Sequence, residues 1–475
     1  MEKIIGRETE QIQLKKILQS KDAELVAIYG RRRVGKTFLI RNFFDKELLF
    51  ELSGIHNATL DQQLENFTMA LSKSVGFNLA RPSSWLQAFN MLENFLTPSI
   101  KKQKKVIFFD EFPWINSPRS GFLQAFENFW NVWASRQNNI VVVLCGSAAA
   151  WMIQNVINNR GGLHNRVTSK IRLLPFTINE AAGFLKENKI KLNEYQILQL
   201  YMVMGGIPQY MKEIMAGESA TQAIDRICFT KDGFLHEEFK NLFRSIFDDF
   251  GNHIAIVRAL AKKGKGLTRT EIIEACDLSS GGGTTQLLEE LTESGFISSY
   301  IPFDRTAKDN IYRLTDEYAH FYLKFIEGSR IKGKGAWATF STGQSYKSWS
   351  GFAFENICMK HEHELKRALG IENVHTETSV WRYHAKKGEQ GAQIDLLIDR
   401  QDMCINICEM KFSTEAYEIT KGYAKELENK LKVFRENTKT RKTLFVTMVT
   451  TFGIKNIGRY AGLVQNQITI DALFK

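Results

Sequence analysis

Leu25-Val-Ala-Ile-Tyr29 runs into Gly30-Arg31-Arg32-Arg33-Val34-Gly35-Lys36-Thr37, and Phe38-Leu-Ile-Arg-Asn-Phe-Phe44 follows. The first stretch reads as an apolar strand and the last has helical spacing. Between them lies a complete G-x-x-x-x-G-K-T phosphate loop. Its glycines let the backbone curl until successive N–H groups converge on an anion. The helix start adds its positive end and unpaired donors to the same point. Lys36 is placed to reach the β- and γ-phosphates, and Thr37 to hold Mg²⁺. Strand, loop and helix together predict that Gly30, Arg31, Arg32, Arg33, Val34, Gly35, Lys36 and Thr37 bind ATP or GTP.

Outward from the loop, residues 1 to 175 alternate apolar strands with helix-period segments. Strands are expected at Leu25–Tyr29, Leu48–Leu52, Val106–Asp110, Ile140–Cys145 and Val167–Leu173, and helices at Thr59–Val75, Trp85–Leu96 and Phe122–Arg136. That alternation predicts a parallel sheet covered by helices on both faces. Lys105-Val-Ile-Phe-Phe-Asp110-Glu111 ends a strand with two acids, where α/β folds place their ligands. Asp110 is expected to anchor Mg²⁺ and Glu111 to polarise the water that attacks the γ-phosphate. The strand ending in Cys145-Gly146-Ser147 offers Ser147 as a γ-phosphate sensor. Arg166 stands before the next strand, as an arginine finger in trans, a sensor in cis, or a solvated surface residue.

The chain has 475 residues, 44% hydrophobic and 24% charged, with a formal net charge of +11. This length predicts about three domains. No apolar run is long enough for a bilayer span, and the N-terminal residues lack a signal peptide's apolar core, so a cytoplasmic protein without a membrane partner is expected. Positive charge permits a DNA partner by phosphate attraction. The six cysteines (145, 228, 276, 358, 404 and 408) lack zinc-finger spacing, and neither zinc nor disulfides are expected.

Several of these stretches together resemble the archaeal-type ATPase family, a branch of the P-loop ATPases related to the AAA+ and STAND classes. They are Ile5-Gly6-Arg7-Glu8, GRRRVGKT, FFDE, LCGS, Leu173-Leu-Pro-Phe176 and Met204-Gly-Gly-Ile-Pro-Gln-Tyr210. The resemblance covers roughly the first half of the chain. It implies that Gly6 and Arg7 lie near the adenine and that Pro208 is the nucleotide-sensing proline of a helical lid, residues 176–235. Residues 240–328 read as a winged helix, with helices at His253–Lys262, Thr268–Cys276 and Gly283–Ser294 before a hairpin ending at Leu314. Three glutamates on the third helix oppose phosphate approach, so protein contact stands beside DNA contact there.

Ile331-Lys-Gly-Lys-Gly335 reads as a linker to a last α/β unit, residues 345–475. There Glu355 opens a helix, Asp395 interrupts the strand Ile394–Ile398, and Glu409 and Lys411 share one face of the strand Ile405–Phe412. An acid, an acid-x-lysine and a helical glutamate suit Mg²⁺, with Lys411 activating water against a phosphodiester. The pattern resembles the PD-(D/E)XK restriction-endonuclease-like fold, which archaeal-type ATPases often carry at this place. One departure is Gln393, where related sequences often have an acid. The expected whole is an α/β P-loop ATPase with a parallel sheet and helical lid, then a winged helix and a nuclease-like domain. It would use ATP and Mg²⁺, with DNA and a second copy as candidate partners. The alternative is a STAND-like oligomerisation switch whose C-terminal domain binds without cleaving.

Overall fold

In the computed structural model, which describes residues 2–100, 103–159, 161–247, 249–383, 385 and 391–475, five parallel strands form the first sheet. They are β1 (Glu24–Tyr29), β2 (Leu48–Ser53), β3 (Lys105–Asp110), β4 (Ile140–Gly146) and β5 (Ser169–Arg172), in the order β2-β3-β4-β1-β5. β4 therefore lies between the strand that leads into the phosphate loop and the strand that ends in Asp110. Every residue of β4 is buried, as a central strand covered on both faces requires.

Helices Leu60–Val75 and Trp85–Ser99 begin at Thr59 and Ser84, whose hydroxyls accept the N–H of Gln62 and Gln87. Such caps satisfy donors that a helix start otherwise leaves open. Both helices pack Phe67, Trp85 and Phe89 onto Phe50 and Phe109 of the sheet, joined by Phe122, Phe126 and Phe129. The expected helix Phe122–Arg136 is regular only to Asn128. Its last two turns widen and then tighten where the aromatic side chains pack.

The chain divides into two compact units. The first comprises Met1–Pro175 with the short segments Ile246–Asp248 and Glu293–Gly295; the second comprises Phe176–Ser245, Asp249–Thr292 and Phe296–Lys475. In the second, helices Ile178–Glu187 and Glu194–Met204 begin at Thr177 and Asn193 caps. Helix Gly251–Lys262, strand β6 (Leu267–Thr268), helices Arg269–Cys276 and Gly282–Glu293, and strands β7 (Ile297–Tyr300) and β8 (Ile311–Leu314) follow in turn, the strands forming an antiparallel sheet in the order β6-β8-β7.

The stretch read as a linker is fastened. Asp225 accepts the N–H groups of Gly335 and Trp337, while Gly333 donates to the carbonyl of Phe229. Trp337 then joins Phe229, Phe321, Phe325 and Trp349 in one aromatic cluster.

Beyond it, helix Gln344–Lys360 leads to a second five-stranded sheet, β13-β12-β11-β10-β9. Its strands are β9 (Thr376–Tyr383), β10 (Ala392–Arg400), β11 (Cys404–Lys411), β12 (Thr443–Thr450) and β13 (Asn466–Thr469). β9, β10 and β11 are antiparallel; helix Lys421–Thr438 then carries the chain to β12, parallel to β11. Among the described residues no helix is long and apolar enough to cross a membrane.

Candidate functional site

The first group of expected residues gathers at the ends of β1, β3 and β4. Gly30 has φ of 143° and lies so close to the next strand that a Cβ there would stand 2.3 Å from the carbonyl oxygen of Leu173. Gly35, at φ 94°, begins helix Lys36–Phe43, with open space around it. Only glycine adopts these angles without strain. Between them Arg33 also has positive φ, 71°. The Lys36 ammonium is buried and donates to the carbonyls of Gly30 (2.8 Å) and Arg31 (2.9 Å) of its own loop. Val34 is fully packed, and Arg32 is half-buried.

Thr37 donates its hydroxyl to Asp110 Oδ2 at 2.9 Å. Glu111, one residue on, adopts the left-handed conformation (φ 44°) that ends β3. A non-glycine residue held there is strained, and such strain gathers at working sites. Its Oε2 accepts from the Ser147 hydroxyl (2.8 Å) and the Ser147 N–H (3.1 Å), so β4 fixes its direction. Gly54 completes this corner: it donates to the Asp110 carbonyl, and a Cβ would stand 2.6 Å from the Glu111 carbonyl oxygen. Burial, and then the charge of Asp110, pushes the neighbouring Cys145 thiol well above its ordinary pKa, so it stays protonated.

Arg7 is buried and donates to the carbonyls of Leu174 (2.7 Å) and Val34 (3.1 Å). It ties the N-terminal segment after Gly6 to the phosphate loop. Arg166 lies on an exposed turn after Asn165, itself at φ 55°. Pro208 belongs to the second unit, where it opens a short helix after Gly205 and Gly206. A Cβ at Gly206 would stand 1.9 Å from the Phe176 carbonyl oxygen, which is why only glycine fits.

The C-terminal group is only partly as expected. Glu355, on helix Gln344–Lys360, is held by Arg313 Nη2 at 3.3 Å. Burial, and then the charge of Asp395, pushes its carboxyl up to about 7, against the lowering influence of Arg313 and Lys411. A register shift in β10 between Ile394 and Leu397 surrounds Asp395, whose Oδ1 accepts from Gln393 Nε2 at 2.8 Å. Glu409 is 2% exposed, and both its oxygens are engaged. Oε1 accepts from Lys430 Nζ at 2.7 Å and Oε2 from the Tyr423 hydroxyl at 3.1 Å. The Lys411 ammonium lies over the Tyr423 ring, 4.7 Å from its centre.

Sequence reading missed Arg313, Tyr423 and Lys430. One signal was present: in helix Lys421–Thr438, Lys430 follows Ala424 and Leu427 on the buried stripe that ends at Phe434. A lysine on an apolar stripe calls for a buried acid.

Two metal sites are implied, and they fare differently. Thr37 and Asp110 present oxygens on one side of an anion-ready loop, which suits Mg²⁺ because that ion completes its shell with substrate phosphates. The C-terminal acids fit an ion poorly, since both Glu409 oxygens accept from protein donors, one of them the Lys430 ammonium, and Gln393 and Arg313 turn donors toward Asp395 and Glu355. Among the described residues no three acids, imidazoles or thiols are grouped to hold a metal.

Residues 4–214 match the family model of the ATPase domain predominantly from Archaea. That stretch, less than half of the chain, is similar to the archaeal-type ATPase domain. An uncharacterized protein of Methanocaldococcus jannaschii, MJECL04, is 24% identical over 398 residues, covering 83% of both chains. Among solved structures, a Walker-type ATPase of Pyrococcus abyssi is similar at 17% identity, with a TM-score of 0.48 over 67% of this chain and 96% of that one. The ORC2 protein of Aeropyrum pernix, solved with ADPNP and ADP, gives 14% identity and a TM-score of 0.42 over 72% and 96%.

Proposed function

We propose that this protein hydrolyses ATP and uses the cycle to work a C-terminal nucleic-acid-binding module. The observation that carries the hydrolytic half is the joining of the loop to two strand ends: Thr37 to Asp110 at 2.9 Å and Ser147 to Glu111 at 2.8 Å. In this reading Lys36 leaves the loop carbonyls for the β- and γ-phosphates. Thr37 and Asp110 would hold Mg²⁺, which would offset charge on the phosphate oxygens. Glu111 takes the proton of the attacking water, and Ser147 keeps its carboxylate aimed. Arg166, exposed, supplies a cation to the γ-phosphate of its own or a second copy. Gly6 and Arg7 border the adenine, and Pro208 belongs to the lid that senses it.

Residues 251–314 support a winged helix through their order of three helices and an antiparallel sheet. Of the three glutamates on its third helix, Glu290 is turned to His253 at 2.7 Å and Glu293 pairs with Arg172 at 3.3 Å, leaving the exposed Glu289 to oppose a phosphate. The succession of helix, three antiparallel strands, helix and parallel strand, with Asp395 on the middle strand and Glu409-x-Lys411 on the next, supports the restriction-endonuclease-like reading of the C-terminal part.

A second reading, a STAND-like switch in which ATP drives oligomerisation, is favoured by one observation. Residues 176–245 pack into the second unit with the C-terminal elements, so a lid that follows nucleotide would carry that unit with it. Steady-state ATP turnover with and without duplex DNA, together with molar mass in ATP, tests both. The first reading expects turnover that duplex DNA changes several-fold and that Lys36→Ala abolishes. The second expects a rise in mass with ATP alone. Absence of turnover under every condition contradicts the hydrolytic proposal.

A further inference from the structure

The C-terminal carboxylates were expected to share a divalent cation, yet the structure places a different charge among them. Lys430 projects from helix Lys421–Thr438 to Glu409, with Nζ 2.7 Å from Oε1. Glu426, one turn earlier, stands 3.6 Å from the same ammonium. Lys430 and Asp395 both line a cavity of about 450 Å³, together with Gln393, Arg382 and Lys265. The ammonium thus reaches Glu409 from the cavity that Asp395 borders. A divalent ion would need that oxygen at about 2.0–2.1 Å and would then face a fixed positive charge. The other Glu409 oxygen is taken by Tyr423, and Gln393 turns a donor toward Asp395 where a metal site needs an acceptor.

We infer that Lys430 takes the place of the divalent cation, making the C-terminal site a metal-independent one that binds without cutting phosphodiesters. The inference rests on reading residues 345–475 as a restriction-endonuclease-like domain. Glu409 is buried and needs a cation beside it, which an internal ammonium supplies permanently. Lys411, Lys265 and Arg382 leave the neighbourhood able to meet a nucleic-acid phosphate without an ion. The Lys411 ammonium lies over the Tyr423 ring and its charge also reaches Glu355, while Arg382 is anchored on the Lys265 carbonyl at 2.9 Å.

The test is a Mn²⁺ titration of the full chain without nucleotide, followed by electron paramagnetic resonance, on wild type, Glu409→Gln, Lys430→Gln and the double variant. Wild type and Glu409→Gln are expected to give the same isotherm. Lys430→Gln is expected to gain one site per chain, which the double variant lacks. A wild-type Mn²⁺ site that Glu409→Gln removes overturns the inference while leaving the nuclease-like reading standing. No gained site in a folded Lys430→Gln overturns the inference and counts against that reading too. Should Lys430→Gln fail to fold, Lys430→Met keeps the aliphatic stem and serves instead. Wild-type protein incubated with plasmid and Mn²⁺ gives a test free of substitutions: nicking that a chelator stops overturns the inference, and retention of intact plasmid in chelator supports it.

Discussion

At the scale of single residues, the two loop glycines are needed for different reasons, and substitution separates them. Gly30 combines φ of 143° with a Cβ position only 2.3 Å from Leu173, whereas Gly35 has φ of 94° and open space. Gly35→Ala is expected to cost about 1–2 kcal/mol of backbone strain while the fold persists. Gly30→Ala adds a collision with backbone that has no way to yield, so a larger loss and no measurable nucleotide binding are expected. Urea denaturation with fluorescent-nucleotide titration checks both; equal losses would contradict the distinction. The loop was legible residue by residue because its chemistry is local. Gly54 was not, since its reason is the Glu111 carbonyl, brought near only by strand pairing between β2 and β3.

At the scale of elements, the fully buried strands of the parallel sheet were visible as apolar runs, and acids interrupting such runs marked Asp110, Asp395 and Glu409. Partners arriving from elsewhere in the chain were not visible. Lys430 meets Glu409 across 21 positions and Arg313 meets Glu355 across 42. The register shift around Asp395 also leaves no local mark.

The stretch Ile331–Gly335 misled in the other direction. Glycine and lysine composition suggested a tether, yet Asp225 binds two of the N–H groups at and beyond its end. Removing that buried acceptor in Asp225→Ala is expected to cost about 1–3 kcal/mol. It should also speed tryptic cleavage at the exposed Lys332 and Lys334, followed by gel over time. Unchanged cleavage would contradict the fastening.

Helix Glu317–Phe325 carries a titration of its own. Burial, then the charges of Lys324 and Arg313, lowers the His320 pKa from 6.5 to about 4. The folded state therefore binds fewer protons than the unfolded chain. Its contribution is full above about pH 6.5 and is lost as pH falls through about 4, on the order of 3 kcal/mol. His320→Phe is expected to flatten that part of the stability-against-pH curve, measured by denaturant midpoints at each pH.

At the scale of the whole molecule, one unit holds the phosphate loop and a second holds both the Pro208 segment and the C-terminal sheet. The phosphate-loop unit is proposed to hydrolyse the nucleotide it binds, with Glu111 as base. ATP turnover and ATP affinity of Glu111→Gln, set against wild type, test this most directly. The amide keeps the shape and a hydrogen bond with Ser147 but removes the proton acceptor. Affinity within a few-fold of wild type and turnover lower by about 10²–10⁴ is the predicted result. Turnover equal to wild type would contradict a base at Glu111.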